Sequence, residues 1–444
     1  MPFNRVILKL GKHINSGLVS GCHSGYCKQL CTIVGNEEKF GKLNYPMFKP
    51  NRVVILSRIT RYEFEKLMYK DATEEQFKQT LKRKRSDYRN MLERHKKHYN
   101  CLEKMTNLLR SKGIETKVVK RPQFTSEVLD WADAVITAGG DGTFLDAASK
   151  ILNIDTPIIG VNTDPTRSEG RLCLPKEEYS ALNFDRVLER LLSGDFKWKW
   201  RQRIRITMSG YHAYDEPIEL SNQQLQNLEH RYTEHVQENE MFSRPLSEKG
   251  VKKERVLPVR ALNEVFFGEC LSSRVSYYEL SIDNMPGVKQ KSSGVTVCTG
   301  TGSTSWHCSI NELTPEAVRD ILNIANKECS ASLPTYDNHF VEAVTQKFND
   351  SIVFDPSELS MGYSVRDPIK NGVFQVPSPR GMAKRKTDDA TATKNIKTGK
   401  TFNKQKGELL VITVTVSVLV NPVPLRSKVK MAIFKQHKTR TACE

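Results

Sequence analysis

Residues 131–143 read Trp-Ala-Asp-Ala-Val-Ile-Thr-Ala-Gly-Gly-Asp-Gly-Thr, an apolar run typical of a buried strand that ends in a glycine-rich turn. The residues from Phe144 to Leu152 continue with helical spacing. In an open α/β sheet, the turn between such a strand and helix lies at the carboxyl edge, where ligands bind. The stretch therefore predicts a ligand site at this turn.

The sequence around this unit alternates between strand and helix patterns. Short apolar runs predict strands at Val53–Leu56, Thr116–Val119, Ala134–Ala138 and Pro157–Val161, and residues 73–112 contain no Gly or Pro and predict one long helix. Such alternation is typical of a doubly wound, mostly parallel sheet that carries helices on both faces.

The pattern changes after Trp200. Residues Arg203–Met208 alternate with period two, as a half-buried strand does, and further strand patterns follow at Val259–Leu262, Val265–Phe267, Ser276–Ile282 and Val295–Val297. A helix is predicted from about Pro315 to Asn326. We therefore predict an α/β fold with a β-rich, antiparallel second domain.

These patterns divide the chain into four parts. Residues 1–50 form a leader, 51–197 an α/β nucleotide-binding domain, 198–374 the β-rich domain, and 375–444 a basic tail. The β-rich domain contains a polar insertion at 211–253, rich in Glu, Gln and Asn. In the tail, Val411–Val420 alternates like a strand.

The charge is concentrated at the two ends of the chain. The formal net charge is +17, yet the last 80 residues hold 17 Lys and Arg against five Asp and Glu, and residues 1–36 hold four cations and no acid. The body between them is nearly neutral, which argues against nucleic acid as a partner. No apolar run reaches the roughly 18 residues of a membrane-spanning helix, so we expect no stable membrane insertion.

The metal-binding residue types show no metal-site spacing. Ten cysteines are present, but none form a C-x-x-C pair, and they are interpreted as reduced thiols rather than a zinc site or a disulfide framework. His95 and His98 lie in a basic helical stretch without a Cys or carboxylate at matching spacing and are interpreted as surface or packing residues. We predict no protein-bound metal.

Asp141 is the residue in the glycine-rich turn that a purely structural reading explains least well. Glycines let phosphate oxygens approach backbone N–H groups, and the following helix N-terminus favours negative charge. A carboxylate aimed at phosphates is repelled unless it holds Mg²⁺ or accepts a proton from an attacking hydroxyl. The alternative is a tight turn in which Asp141 caps the helix. The turn has neither the Walker A nor the G-x-G-x-x-G pattern.

Two further segments have the chemistry of a nucleotide site. Asn263 and Glu264 stand at the start of an apolar strand and suit paired hydrogen bonds to ribose hydroxyls or base edges. Residues 299–306, Thr-Gly-Thr-Gly-Ser-Thr-Ser-Trp, follow another strand and offer backbone and hydroxyl donors, with Trp306 available for stacking. Taken singly, a turn or cap explains either segment equally well.

Together, in this order and separation, the three segments resemble the NAD kinases. The surrounding residues are similar to the animal mitochondrial branch of that family, and the resemblance runs from about Arg52 to Phe374. Comparable Gly-Gly-Asp-Gly-Thr loops occur in diacylglycerol and sphingosine kinases and in phosphofructokinases. The segments that carry the branch resemblance are Gly160–Asp164, Arg167–Gly170, Arg201–Arg203 and Leu271–Tyr278.

The resemblance implies an enzyme that uses ATP and Mg²⁺ to phosphorylate the adenosine-ribose 2′-hydroxyl of NAD, giving NADP. Asp141 matches the residue that activates the hydroxyl. The positions that match the phosphate loop and the neighbouring nucleotide contact are Gly139, Gly140, Gly142, Thr143 and Asn162. The positions that match the NAD contacts are Asn263, Glu264, Thr304, Ser305 and Trp306. The alternatives are a catalytically impaired nucleotide-binding relative and a lipid kinase of the same superfamily.

The resemblance also implies a homodimer. The leader itself predicts the location, because its acid-free, basic and amphipathic composition is that of a mitochondrial transit peptide. We therefore expect the protein in the mitochondrial matrix. The tail after Phe374 has no counterpart of the family's closing segment, so an impaired enzyme and an alternative transcript end both stay open.

Overall fold

The computed structural model describes most of the chain between residues 48 and 417. The described ranges are 48–153, 155–175, 183–196, 198–209, 213–214, 254–268, 275–282, 285–374, 378–383, 396–402 and 408–417. The predicted leader, apart from residues 48–50, and the polar insertion, apart from Ala213 and Tyr214, lie outside them. No helix among the described residues is long and apolar enough to cross a membrane.

A four-stranded parallel sheet forms the first half of the fold. Its strands are β1 (Arg52–Ser57), β2 (Glu115–Lys120), β3 (Ala134–Ala138) and β4 (Ile158–Val161), in the order β2-β1-β3-β4. All four predicted strands are present. Their carboxyl ends meet at one edge of the sheet, where the glycine-rich turn follows β3.

Helices cover both faces of this sheet, as the alternating pattern predicted. They are α1 (Arg61–Met68), α2 (Glu74–Arg83), α3 (Tyr88–Ser111), α4 (Ser126–Trp131), α5 (Asp141–Lys150) and α6 (Phe184–Ser193). The apolar sides of α3 and α6 bury Met105 and Leu188 against Ile55 and Ile136 on one face. On the other face Ala147 of α5 packs with the β-strand residues that point that way.

The single helix predicted for residues 73–112 is wrong, because the chain breaks between α2 and α3. Arg85 has a φ of 54°, which ends α2. Asp87 then caps α3, its carboxylate accepting a hydrogen bond from Asn90 N at 3.1 Å. The Ser-Asp pair before α3 is a helix start signal. It was overlooked in the sequence because no Gly or Pro marks a break in this stretch.

Two antiparallel sheets form the second half of the fold. One has the order β12-β11-β10-β7 and the other β6-β5-β14-β13-β8-β9. Their apolar sides share one core, which includes Ile204, Val265, Tyr278 and Met361. The strands are β5 (Arg203–Ser209), β6 (Glu254–Ala261), β7 (Glu264–Phe267), β8 (Ser276–Ile282), β9 (Val288–Ser292), β10 (Gly294–Cys298), β11 (Met361–Arg366), β12 (Arg380–Ala383), β13 (Ile396–Phe402) and β14 (Glu408–Ser417).

Three helices lie between β10 and β11. They are α7 (Trp306–Asn311), α8 (Pro315–Cys329) and α9 (Asn338–Asp350). The predicted helix at Pro315–Asn326 corresponds to α8, and single turns of 3₁₀ helix occur at Arg121–Gln123 and Gly302–Thr304.

The tail contributes two strands to the larger antiparallel sheet. β14 pairs with β5 over Val411–Ser417, and β13 pairs with β8 over Ile396–Lys400. The predicted strand-like run is therefore a strand, shifted toward the N-terminus by three residues. Residues after 417 lie outside the described part, and the four predicted domain limits stay a prediction.

Candidate functional site

The glycine-rich turn joins β3 to α5 with two tightly packed glycines and one open glycine. A Cβ on Gly139 would overlap the hydroxyl of Thr143, and a Cβ on Gly140 would lie 2.6 Å from Ser168 Oγ. Gly142 has open space around it, at the first turn of α5. The packed glycines shape the turn, while Gly142 leaves the N-terminus of α5 open to a ligand.

Asp141 lies at the first position of α5, and its carboxylate faces a different segment. Oδ1 accepts a hydrogen bond from Leu172 N at 2.8 Å, and Oδ2 accepts one from Arg171 N at 3.1 Å. The side chain is partly exposed and makes no capping bond to its own helix. Since a carboxylate oxygen can accept more than one hydrogen bond, this fixed group retains acceptor capacity for a ligand hydroxyl.

Asn162 organises the loop that supplies those two N–H groups. Its Oδ1 accepts from Asp164 N at 3.0 Å and its Nδ2 donates to Ser168 O at 3.1 Å, so both ends of the buried side-chain amide bind the loop. Gly170 adopts a φ of 65° against this amide. Asn162 thus acts on Asp141 indirectly, because it supports the loop whose N–H groups bind the Asp141 carboxylate.

The same sheet edge contains a buried histidine whose role the sequence did not reveal. His98 of α3 is fully buried, with Nε2 2.9 Å from Ser57 Oγ and Nδ1 2.9 Å from Thr163 Oγ1. Burial lowers its pKa to about 4, so the imidazole is neutral and links β1 to the loop after β4. His98 is therefore a packing residue, one of the two alternatives predicted.

The corner between β6 and β7 packs against α5. Leu262 is buried against Phe144, one turn after Asp141. Asn263 and Glu264 follow directly, and Glu264 lies opposite Cys298 of β10. This packing places the predicted NAD-contacting pair beside the helix that begins at Asp141.

Two polar atoms of this pair are buried without a hydrogen-bond partner. They are Asn263 Oδ1 and Glu264 Oε2. Burial raises the pKa of Glu264 to about 7. Each such atom costs about 1–3 kcal/mol unless something bonds to it, so both oxygens have acceptor capacity that the protein does not use.

Replacing Glu264 with Gln is expected to stabilise the unliganded protein at high pH. The folded-state pKa lies above the ordinary carboxyl value near 4.5, so the stability contribution of protonated Glu264 is lost as pH rises to about 7. The variant should gain less than about 1 kcal/mol at pH 5 and about 2–3 kcal/mol at pH 8. Thermal unfolding of both proteins across this range measures the difference. A difference that does not change with pH would contradict the assignment.

The loop after β10 is fixed by two close backbone approaches. A Cβ on Gly300 would overlap the carbonyl of Asp355, and one on Gly302 would overlap the carbonyl of Asn263. Thr299 N donates to Asn263 O at 3.0 Å. The structure therefore brings this loop and the Asn263–Glu264 pair together, as expected for one site.

The three predicted residues at the end of this loop differ in environment. Thr304 is exposed, whereas Ser305 and Trp306 are half-buried. The Trp306 ring packs against Phe266 of β7 with centroids 5.0 Å apart, and the Arg366 guanidinium lies 5.7 Å from its centroid. Trp306 thus already has protein partners beside the buried pair.

No group of three or more His, Cys, Asp or Glu side chains suited to a metal ion occurs in the ranges the structure describes.

Arg201, which sequence reasoning did not single out as a site residue, binds Thr301 of the loop after β10. Its signals in the sequence were its place in the segment Arg201–Arg203, which carries part of the family resemblance, and its position just before the first strand of the second half.

Comparison with known proteins identifies relatives over most of the chain. The model of the ATP-NAD kinase N-terminal domain matches residues 33–195. "NAD kinase 2, mitochondrial" from Homo sapiens is 46% identical over 333 residues, covering 74% of this chain and 73% of that protein. The Xenopus tropicalis protein of the same name is 41% identical over 358 residues, covering 76% and 81%.

The likeness to solved structures is weaker. Yeast NADH kinase complexed with NADH aligns with a TM-score of 0.44 and 12% identity, over 89% of this chain and 85% of that one. An NAD kinase from Archaeoglobus fulgidus in complex with ATP aligns at 0.40 and 14%, over 82% and 90%. The sequence relatives carry the assignment: at 46% identity over nearly three quarters of both proteins, the chain belongs to the NAD kinase family.

Proposed function

We propose that the protein transfers the terminal phosphoryl group of ATP to the adenosine-ribose 2′-hydroxyl of NAD, giving NADP. The chain is a kinase by family. The observation that carries the proposal for this site is the two unpartnered oxygens of Asn263 and Glu264, a pair packed through Leu262 and Phe144 against the helix that begins at Asp141.

Asp141 is proposed as the group that accepts the hydroxyl proton. Its carboxylate is held in place by the N–H groups of Arg171 and Leu172, so it does not have to be oriented when the substrate arrives. A hydroxyl that bonds to it becomes more nucleophilic as its proton moves to the carboxylate. Gly139, Gly140, Gly142 and Thr143 would form the phosphate side of this turn.

Asn263 and Glu264 are proposed to bind the ribose hydroxyls of NAD. Hydroxyl donors from the sugar would satisfy the two buried oxygens that the protein leaves unpartnered. Thr304, Ser305 and Trp306 would border the dinucleotide, and Asn162 would act through the loop that it supports. Mg²⁺ enters with ATP as part of the substrate and would neutralise phosphate charge there.

Two alternatives are less well supported by these residues. A lipid kinase needs an apolar groove for its acceptor, and a buried carboxylate and amide without partners are costly there. An impaired relative was considered because the tail is atypical. The pairing of β13 and β14 with β8 and β5 favours a tail that completes the larger sheet.

An acceptor assay tests the proposal. The purified full chain is incubated with ATP, Mg²⁺ and either NAD, a sphingoid base or diacylglycerol. Release of ADP measures turnover with each acceptor, and an NADP-specific dehydrogenase identifies NADP. We expect phosphorylation of NAD alone. Faster phosphorylation of a lipid, or no product from any acceptor, would contradict the proposal.

We further propose a homodimer and a location in the mitochondrial matrix, with the leader as transit peptide. Relatives that carry "mitochondrial" in their names support the location. We also propose the domain limits at 51–197, 198–374 and 375–444, which, like the leader, come from the sequence pattern.

Deleting residues 2–36 is expected to leave the protein in the cytosol. The deletion removes the four cations of the acid-free segment, and import depends on such a basic amphipathic segment. Fractionation of cells that express tagged full-length and truncated chains measures the distribution. As a matched control, the same four cations are replaced by Gln in an intact leader, and this variant should also stay outside. Import of the truncated chain would contradict the transit-peptide assignment.

A further inference from the structure

Arg201 lies where three distant segments of the chain meet. Its guanidinium donates a hydrogen bond from one terminal nitrogen to Thr301 Oγ1 at 3.1 Å. The next residue, Gln202, donates from its backbone N to Pro356 O at 2.9 Å and from Nε2 to Ser357 O at 3.1 Å. The backbone that presents Arg201 is therefore fixed, and the side chain has one defined direction.

Two carboxylates act on the charge of Arg201. Burial lowers the pKa of the guanidinium, while the charges of Asp355 and Asp141 act in the opposite direction. Asp355 also acts on the charge of Lys199, which is a second positive charge near Arg201. A largely buried charge is tolerated only when opposite charges and hydrogen bonds compensate it, and the hydrogen bond to Thr301 is one such contact.

Thr301 connects this cation to the loop after β10. The residue is buried, and it sits between the two glycines that press against Asp355 and Asn263. A displacement of Arg201 would therefore move a loop that borders the Asn263–Glu264 pair.

We propose that Arg201 is a positioning residue that holds the loop around Thr301 in place beside the Asn263–Glu264 pair, so that this loop is already in position when the dinucleotide binds. The inference rests on the proposed function. It concerns a residue that does not need to touch the substrate.

Arg203 provides a matched control two residues further along. Its guanidinium donates to the carbonyl oxygens of Ala148 and Ile151, at the end of α5, and burial alone lowers its pKa. Like Arg201 it is partly buried, but it caps a helix and makes no hydrogen bond to Thr301 among the described residues. Replacing Arg203 therefore measures how the loss of a comparable guanidinium affects stability, without a direct effect on the loop around Thr301.

A double-mutant cycle tests the coupling. The proteins are wild type, Arg201→Met, Thr301→Val and the double variant, with Arg201→Lys and Arg203→Met beside them. Circular dichroism establishes that each is folded, and kcat/KM for NAD is measured for each.

We expect Arg201→Met to lower kcat/KM about 100-fold and Thr301→Val about tenfold, with the double variant no lower than Arg201→Met. Arg201→Lys, which keeps the charge, should recover about tenfold of the loss, and Arg203→Met should stay within about threefold of wild type.

Three results would each overturn the inference: an Arg201→Met enzyme within about threefold of wild type, a double variant about 1000-fold down, or an equal loss in Arg203→Met. A wild type that makes no NADP refutes the proposed function itself. An active wild type with an unaffected Arg201→Met refutes only the coupling.

Discussion

Asp141→Asn is expected to lower kcat by about 10²–10⁴-fold, the usual contribution of a general base. The amide has nearly the size of the carboxylate but cannot accept the proton of the ribose hydroxyl. Steady-state rates of NADP formation measure the loss, and retention of more than half the wild-type turnover would refute the role.

The backbone hydrogen bonds of Asp141 make a stability control necessary in this experiment. Both carboxylate oxygens of Asp141 accept backbone hydrogen bonds, so an amide places one NH₂ group against an N–H donor of Arg171 or Leu172. Asp146→Asn controls for the change of charge on α5, because Asp146 lies on the same helix as Asp141 and its carboxylate pairs with Arg121, which lies outside that helix. This control should lose little activity, and thermal unfolding of both variants separates lost chemistry from lost fold.

Gly302→Ala is expected to weaken NAD binding by about 100-fold or more. The added Cβ would overlap the carbonyl of Asn263. Because the backbone fixes the position of a Cβ, no side-chain rotation relieves this clash. The loop must move away from the Asn263–Glu264 pair, and a misplacement of about 1 Å in a substrate-positioning segment can cost about 10²-fold.

The matched control is Gly372→Ala, where a Cβ meets open space. Calorimetric titration with NAD measures both variants. Binding by Gly302→Ala within about threefold of wild type would contradict the placement of this loop at the dinucleotide, while Gly372→Ala should bind normally.

The parts of the fold that the sequence predicted best are those determined locally. The strand at Ala134–Ala138, the turn at Gly139–Gly140 and the helix after it follow from an apolar run and its glycine punctuation, and all three are present. The alternation of strands and helices likewise predicted the parallel sheet, because parallel strands need crossover connections that are usually helices, and the central strands β1 and β3 are accordingly buried on both faces.

The features that the sequence concealed depend on contacts between distant residues. Asn162 was expected near the nucleotide, yet both of its amide atoms bind its own loop. His98 carries no local sign that it bonds to Ser57 and Thr163 across the sheet edge. Arg201 gains its importance from Thr301, 100 residues away, and no periodicity encodes such a contact.

A crystal structure of the full chain with NAD bound would show whether the turn at Asp141 and the pair Asn263–Glu264 bind one ligand. We expect the adenosine-ribose 2′-hydroxyl within hydrogen-bonding distance of the Asp141 carboxylate, and ribose hydroxyls bonded to Asn263 Oδ1 and Glu264 Oε2. A dinucleotide bound elsewhere, with these two oxygens still unpartnered, would contradict it.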